Sequence, residues 1–263
     1  MEETRSETVV AELRRWIQQQ RAVGVEELLL PPVAAPPAIV AALAPAAVVP
    51  PATSDPAGPS VSENPALREN LLTRHPQWRD TPLLPLAMEV DACRRCNLGA
   101  QRHCSVPGTG HPQARLVFVG EAPGADDDRQ GIPFVGKAGQ LLDKILAAIE
   151  LQREEVHILN ILKCRPPENR NPAPQEIEAC RPFLERQIDL IQPRLIMALG
   201  LFAGQWLTGK KLSLTKLRET GPFDYRGIPV YATFHPAALL RNPNWKRPAW
   251  DDFKRIREEY RKL

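Results

Sequence analysis

The chain has 263 residues, enough for one sizeable α/β domain with extensions. No apolar run reaches the roughly 18 residues of a membrane-spanning helix, and the acidic start MEETRSETVV is unlike a signal-peptide n-region, so a cytoplasmic protein with reduced thiols is expected. The net charge of +3 hides an asymmetry: residues 1–90 hold 7 Lys and Arg against 11 Asp and Glu, whereas residues 91–263 hold 27 against 20, a balance that suits contact between the C-terminal part and a polyanion.

Residues 5–29 carry helical spacing at Val9, Leu13, Trp16 and Ile17, which predicts an amphipathic N-terminal helix within residues 1–30. Such a helix docks on the domain's own surface or on a protein partner; the pattern leaves both open. Residues 31–87 form a linker and lead-in. Up to residue 66 this stretch is rich in Pro and Ala, a composition that buries no core and reads as a semi-rigid spacer. Residues 67–90 hold at most a short helix.

The domain is expected to span residues 88–263, and from residue 91 onward the composition turns globular. Apolar runs at 115–120, 156–161, 194–200 and 228–234 predict four buried strands. Helical spacing predicts helices at 136–150, 174–191, 201–207 and 247–261, the second with Glu176 and Glu178 favourably placed in its first turn. Strands alternating with helices predict a three-layer α/β/α sandwich around a mostly parallel, four-stranded sheet. Ligands of such sheets bind beyond the carboxyl ends of the strands.

Four cysteines add a second theme. Cys93 and Cys96 form a C-x2-C pair that sets two thiolates on one loop; Cys164 and Cys180 come from distant chain. Four thiolates suit a [4Fe-4S] cluster or a structural zinc, and spacing alone does not choose. The fifth, Cys104, reads as a free thiol.

Polar residues gather at the predicted carboxyl ends. The first strand runs into Gly120-Glu121-Ala122-Pro123-Gly124 and then Asp126, Asp127 and Asp128; the second into Asn160 and Lys163-Cys164-Arg165-Pro166-Pro167; the fourth into His235-Pro236-Ala237-Ala238-Leu239-Leu240-Arg241. Each has an ordinary structural reading. Asn160 caps a turn, His235 precedes a proline, Phe134 and both leucines belong to a core, and the aspartates form a solvated turn.

Taken together, GEAPG, IPFVGKAGQLL, NILKCRPPENRNP and HPAALLRNP, in this order and with these cysteines, resemble a family 4 uracil-DNA glycosylase, the iron-sulfur class of its superfamily. The resemblance covers about residues 88–263. It implies a monomer that acts on uracil-containing DNA and removes the base by hydrolysis of the N-glycosidic bond. It implies a [4Fe-4S] cluster on Cys93, Cys96, Cys164 and Cys180, in a structural role because the reaction involves no net redox change.

The residues fit that chemistry. A base must leave the duplex before its glycosidic bond is reached. Phe134 can stack on a planar ring. The Asn160 amide can accept from uracil N3–H and donate to O4, a pattern that cytosine reverses. Gly120 and Ala122 join them on the substrate side. His235 can donate to uracil O2 as negative charge builds on the leaving base. Leu239 or Leu240 can wedge into the emptied stack, and Arg241 can hold a phosphate. Arg94, Arg95, Lys163, Arg165 and Arg170 can track further phosphates.

For the carboxylate that orients water and supports the developing oxocarbenium, the resemblance favours Glu121 and Asp127. Family 1 relatives carry an Asp where this chain has Ala122, so their arrangement does not transfer. Three rival readings are weaker. A glycosylase that links covalently to the abasic site carries a His in the loop after the third cysteine, and CRPPENRNPAPQE has none. A non-catalytic DNA-binding module has no need of a reader for the uracil edge. A zinc-stabilised nucleotide-binding protein would carry a phosphate loop, and GEAPG is not one.

Overall fold

A computed structural model describes residues 64–263. The expected N-terminal helix and most of the linker lie outside the described residues. The first helix, α1 (Pro65–Arg74), starts where the Asn64 side chain accepts a hydrogen bond from the Leu67 amide at 3.0 Å. A 3-10 turn at Pro76–Trp78 leads to α2 (Leu83–Ala92), and α3 (Leu98–Gln101) follows. The lead-in is no loose tether. Leu71, Trp78, Leu83, Leu84 and Ala87 are buried in the main core, ahead of the point where the composition changes.

Among the described residues the sheet has six strands, numbered in chain order and lying side by side as β1-β3-β2-β4-β6-β5. β2 (Leu116–Gly120), β3 (His157–Asn160), β4 (Leu195–Leu199) and β6 (Ile228–Thr233) are the four expected strands, all parallel to their neighbours among themselves. The expectation of four strands is corrected at both edges. β1 (Thr109–Gly110) pairs antiparallel with β3, and β5 (Phe223–Tyr225) pairs antiparallel with β6. Two and three residues are too few to show an alternation. The β5–β6 turn carries a local signal, because Arg226 and Gly227 both have positive φ, at 54° and 87°.

The sheet is covered on both faces. Val117, Val119, Ile196, Ala198 and Val230 pack towards α1, α2, α6 (Pro174–Ile191), α7 (Leu201–Thr208) and α8 (Leu214–Thr220). Leu116, Phe118, Leu195, Met197 and Tyr231 pack towards α5 (Lys137–Ala148) and α10 (Lys246–Arg261). Burial on both faces explains why the central strands are continuous apolar runs. The α/β/α layering therefore stands, with six strands instead of four.

The acidic run is not a solvated turn. It forms α4 (Ala125–Gln130), in which Asp127 and Asp128 are buried. Among the described residues no helix is long and apolar enough to cross a membrane.

Candidate active site and cysteine cavity

The parallel register sets Gly120 beside Asn160 at the carboxyl ends of β2 and β3. This is a close approach that glycine permits. A Cβ on Gly120 would stand 2.4 Å from Asn160 Oδ1 and 2.7 Å from the Phe134 ring. Phe134 holds φ at +56°, a left-handed conformation that costs a non-glycine residue energy. Gly139 on α5 accepts the resulting backbone path, since a Cβ there would meet Phe134 O at 1.7 Å. Phe134 also stacks on His235, with ring centroids 5.3 Å apart and 30° between planes.

Above this point opens a cleft of about 390 Å³. Glu121, Ala122, Asp127, Phe134, His235 and Arg241 line it. Asn160 is not among the lining residues; it is 1% exposed, beside Gly120. Neither Asn160 Oδ1 nor Nδ2 has a hydrogen-bond partner. A buried amide with both ends unpaired is costly.

His235 caps the N-terminus of α9 (Pro236–Arg241), and its Nδ1 accepts from the Ala237 amide at 3.2 Å. That bond requires an unprotonated Nδ1, which leaves the ring hydrogen on Nε2. Burial lowers the imidazole pKa to about 4, with a further push from Arg241. The ring is therefore a neutral donor at physiological pH.

The two expected carboxylates differ. Asp127 Oδ2 accepts from the Gly124 amide at 3.2 Å and Oδ1 from the Val135 amide at 3.0 Å. It ties the GEAPG loop to the Phe134 loop. Glu121 faces the cleft with no such engagement, and its pKa is raised by desolvation, against the pull of Arg241.

Other expectations are corrected. Leu239 is 1% exposed and packs with Phe234 and Ala249, so it is core and not a wedge. Leu240 on the next position is 45% exposed. Lys163 is 1% exposed and cannot track a phosphate. Arg170 stays at the cleft rim but is engaged by Glu176, at 2.5 and 2.9 Å. Lys137, Asn169 and Asn171 also reach the rim. Sequence reading passed over them; the one available signal was their place beside Gly136 and in the Pro-rich loop after Cys164.

The four cysteines meet around one cavity. Cys93 follows α2, Cys96 precedes α3, Cys164 follows β3 and Cys180 lies on α6; all four line it, with Arg95, Arg102 and Lys163. Among the described residues, no three His, Cys, Asp or Glu side chains are grouped so as to hold a metal ion. Arg102 Nη1 donates to Cys164 Sγ at 2.9 Å. Burial pushes the Cys180 thiol up to about 11 and raises Cys164. Buried sulfurs ringed by cations are suited to hold an anionic thiolate centre. Cys104 is outside this cavity and approaches the Arg129 carbonyl.

Residues 107–254 match the family model described as the uracil DNA glycosylase superfamily. The chain belongs to that superfamily. Within it the chain is of the type-4 kind. It is 45% identical over 178 residues to the type-4 uracil-DNA glycosylase of Sulfurisphaera tokodaii, covering 65% of this chain and 81% of the relative. It is 43% identical to that of Archaeoglobus fulgidus, over 66% of this chain and 90% of the relative. It is 48% identical to that of Thermotoga maritima, over 58% of this chain and 80% of the relative.

Proposed function

We propose that the cleft at the ends of β2 and β3 is where this chain hydrolyses the N-glycosidic bond of uracil in DNA. The activity is that of a uracil-DNA glycosylase, a hydrolase of N-glycosyl bonds serving base excision repair. The observation that carries the assignment of the site is the Asn160 amide, buried with both polar ends unpaired beside Gly120 and Phe134. A flipped uracil supplies the missing partners: N3–H donates to Oδ1, and O4 accepts from Nδ2. Phe134 stacks against the ring, held by the Gly139 backbone approach.

As the bond to the sugar breaks, negative charge collects on the base. The Nε2–H of neutral His235 donates to O2 and stabilises it. Glu121 is the free carboxylate of the cleft. It orients water and supports positive charge on the sugar, while Asp127 holds the loop that carries it. Leu240 enters the space vacated by the base. Arg241, Lys137 and the basic C-terminal part meet phosphates.

Cys93, Cys96, Cys164 and Cys180 would hold a [4Fe-4S] cluster, whose contribution is to brace the loops that flank the cleft.

The test is incubation with an oligonucleotide containing one uracil, followed by alkali, with thymine and cytosine controls. Alkali-dependent cleavage at uracil alone is the expected result. Cleavage that survives Asn160→Ala at the wild-type rate would remove the amide from base recognition.

A further inference from the structure

Among the described residues five large apolar side chains stand exposed, and three of them fall in one short stretch: Leu240 at 45%, Trp245 at 37% and Trp250 at 36%. Single exposed apolar residues are ordinary, whereas a group of them marks a contact surface. The stretch is also cationic. Residues 235–250 carry Arg241, Lys246 and Arg247 and no Asp or Glu, and all three cations are exposed. Arg241 lines the cleft, so this surface continues from it.

Trp245 is the most firmly held part of the surface. It ends a 3-10 turn, Pro243–Trp245, in which the Asn242 side chain accepts from the Asn244 amide at 3.2 Å and the Asn242 carbonyl accepts from the Trp245 amide at 3.2 Å. Its ring stacks on Phe234, with centroids 5.0 Å apart and 14° between planes. Phe234 is buried and has the Arg218 guanidinium 4.3 Å from its ring centroid. Asp252 fixes Arg218 in turn, accepting from its Nε at 2.6 Å. The indole is therefore backed by an ordered stack, and Phe234 directly precedes His235 in the chain. A partly exposed aromatic ring, supported from behind and set among cations, has the chemistry of a platform for a nucleobase.

We propose that Trp245 is a stacking platform for an unpaired nucleobase that flanks the uracil on the same strand, with Lys246 and Arg247 on the adjoining phosphates. This rests on the reading of the cleft given above. Trp245 stands four residues beyond Arg241, so the two lie at most about 14 Å apart, the reach of a few nucleotides. A base paired inside a duplex already has a neighbour on each face. A base in a single strand gains one from the indole. Trp245 thus serves single-stranded substrate, in which Leu240 has no gap in a stack to fill.

The experiment uses the full chain and single-stranded oligonucleotides with one uracil, either unmodified or with a reduced abasic spacer in place of one of the three nucleotides on each side of it. The half-saturating protein concentration is read from single-turnover excision. Trp245→Ala should raise it roughly tenfold on the unmodified single strand, as for loss of one base stack, and clearly less on duplex DNA. At one or more of the six positions the spacer should cost the wild type about as much and cost Trp245→Ala nothing further. Trp245→Phe should keep most of the affinity. A stack releases no counterions, so the loss in Trp245→Ala should be the same at about 50 mM and about 200 mM salt.

Spacers that cost wild type and Trp245→Ala equally at all six positions overturn the proposal. So does an equal loss on single strand and duplex. A loss that disappears at high salt also overturns it, because the ring would then be only a prop for Lys246 and Arg247. If Trp245→Ala melts well below wild type, Trp245→Leu, which keeps apolar contact with Phe234, is set against Trp245→Phe, and equal half-saturation in that pair overturns it. Wild-type protein that releases no uracil sinks the reading of the cleft and the platform with it. Wild-type protein that releases uracil with no coupling to any spacer sinks the platform alone.

Discussion

At the scale of the residue, protonation states decide the reaction. The Ala237 amide fixes the His235 tautomer, and burial holds the folded imidazole pKa at about 4. His235 therefore stays neutral as pH falls through 6.5, and it imposes no loss of activity there. With Glu121 in the proposed role, activity should be lost as pH falls through its carboxyl pKa, which desolvation raises from its ordinary value against the pull of Arg241. In a single-turnover pH profile, Glu121→Gln should remove the acid limb and His235→Ala should keep it. An acid limb that vanishes in His235→Ala would reverse the assignment. His235→Ala should itself lower the rate about 10²- to 10³-fold, the usual cost of one preorganised donor to a developing anion. The visible absorbance of the proposed cluster should persist in both variants, because neither residue lines the cysteine cavity. Candidate side chains such as Asn160 and His235 were legible in sequence. That Asn160 is orphaned, that Asp127 is tied to two amides and that Leu239 is buried depend on contacts with distant chain.

At the scale of the element, the site depends on how strand ends and short helices approach each other. Gly120→Ala puts a methyl group 2.4 Å from Asn160 Oδ1. It should destabilise the fold by about 1–3 kcal/mol and lower excision by more than its effect on stability accounts for. Thermal melting and single-turnover rates, measured on the same preparation, check both parts. Leu240→Ala, on α9, should weaken excision from duplex DNA more than from single strands, since only the duplex leaves a gap in a stack. Equal losses on both substrates would count against a wedge. The long elements were readable because their periodicity is strong: the helix at 174–191 appears with the bounds expected for it. The edge strands β1 and β5 were not readable, because two or three residues hold no period.

At the scale of the whole molecule, the lead-in is joined to the sheet by an aromatic stack. His75 lies 4.2 Å from Trp78 at 14°, and Trp78 lies 5.6 Å from His157 at 2°. All three are buried, and Trp78 Nε1 donates to Gly110 O at 3.2 Å. Desolvation lowers His75 to about 3 and His157 to about 4. The unfolded chain, with ordinary histidines, binds more protons between those values and 6.5. Stability from these groups is therefore complete above about pH 6.5 and is lost as pH falls towards 4. For His157 the loss amounts to about 2–3 kcal/mol at pH 4.5. Urea midpoints at pH 7 and pH 4.5 measure it, and His157→Gln should flatten the difference. A further test concerns the chain ahead of α1. Removal of residues 1–63 should leave uracil excision within about twofold of the full chain, because every residue placed in the site lies beyond Asn64.

The sequence by itself determined the layer architecture and the order of the central elements. Apolar runs and helical spacing are local properties, and strands buried on both faces must be continuously apolar. It also determined which residue types stand at the strand ends, and hence the resemblance to the glycosylases. The tertiary structure alone decided which of those residues meet. It closed the sheet with two short edges, since their pairing is a long-range matter. It separated the free Glu121 from the engaged Asp127, and the exposed Leu240 from the buried Leu239. It also moved Lys163 from an imagined surface to the core. Burial and hydrogen-bond partnership are set by chain segments far apart in sequence, and no local pattern carries them.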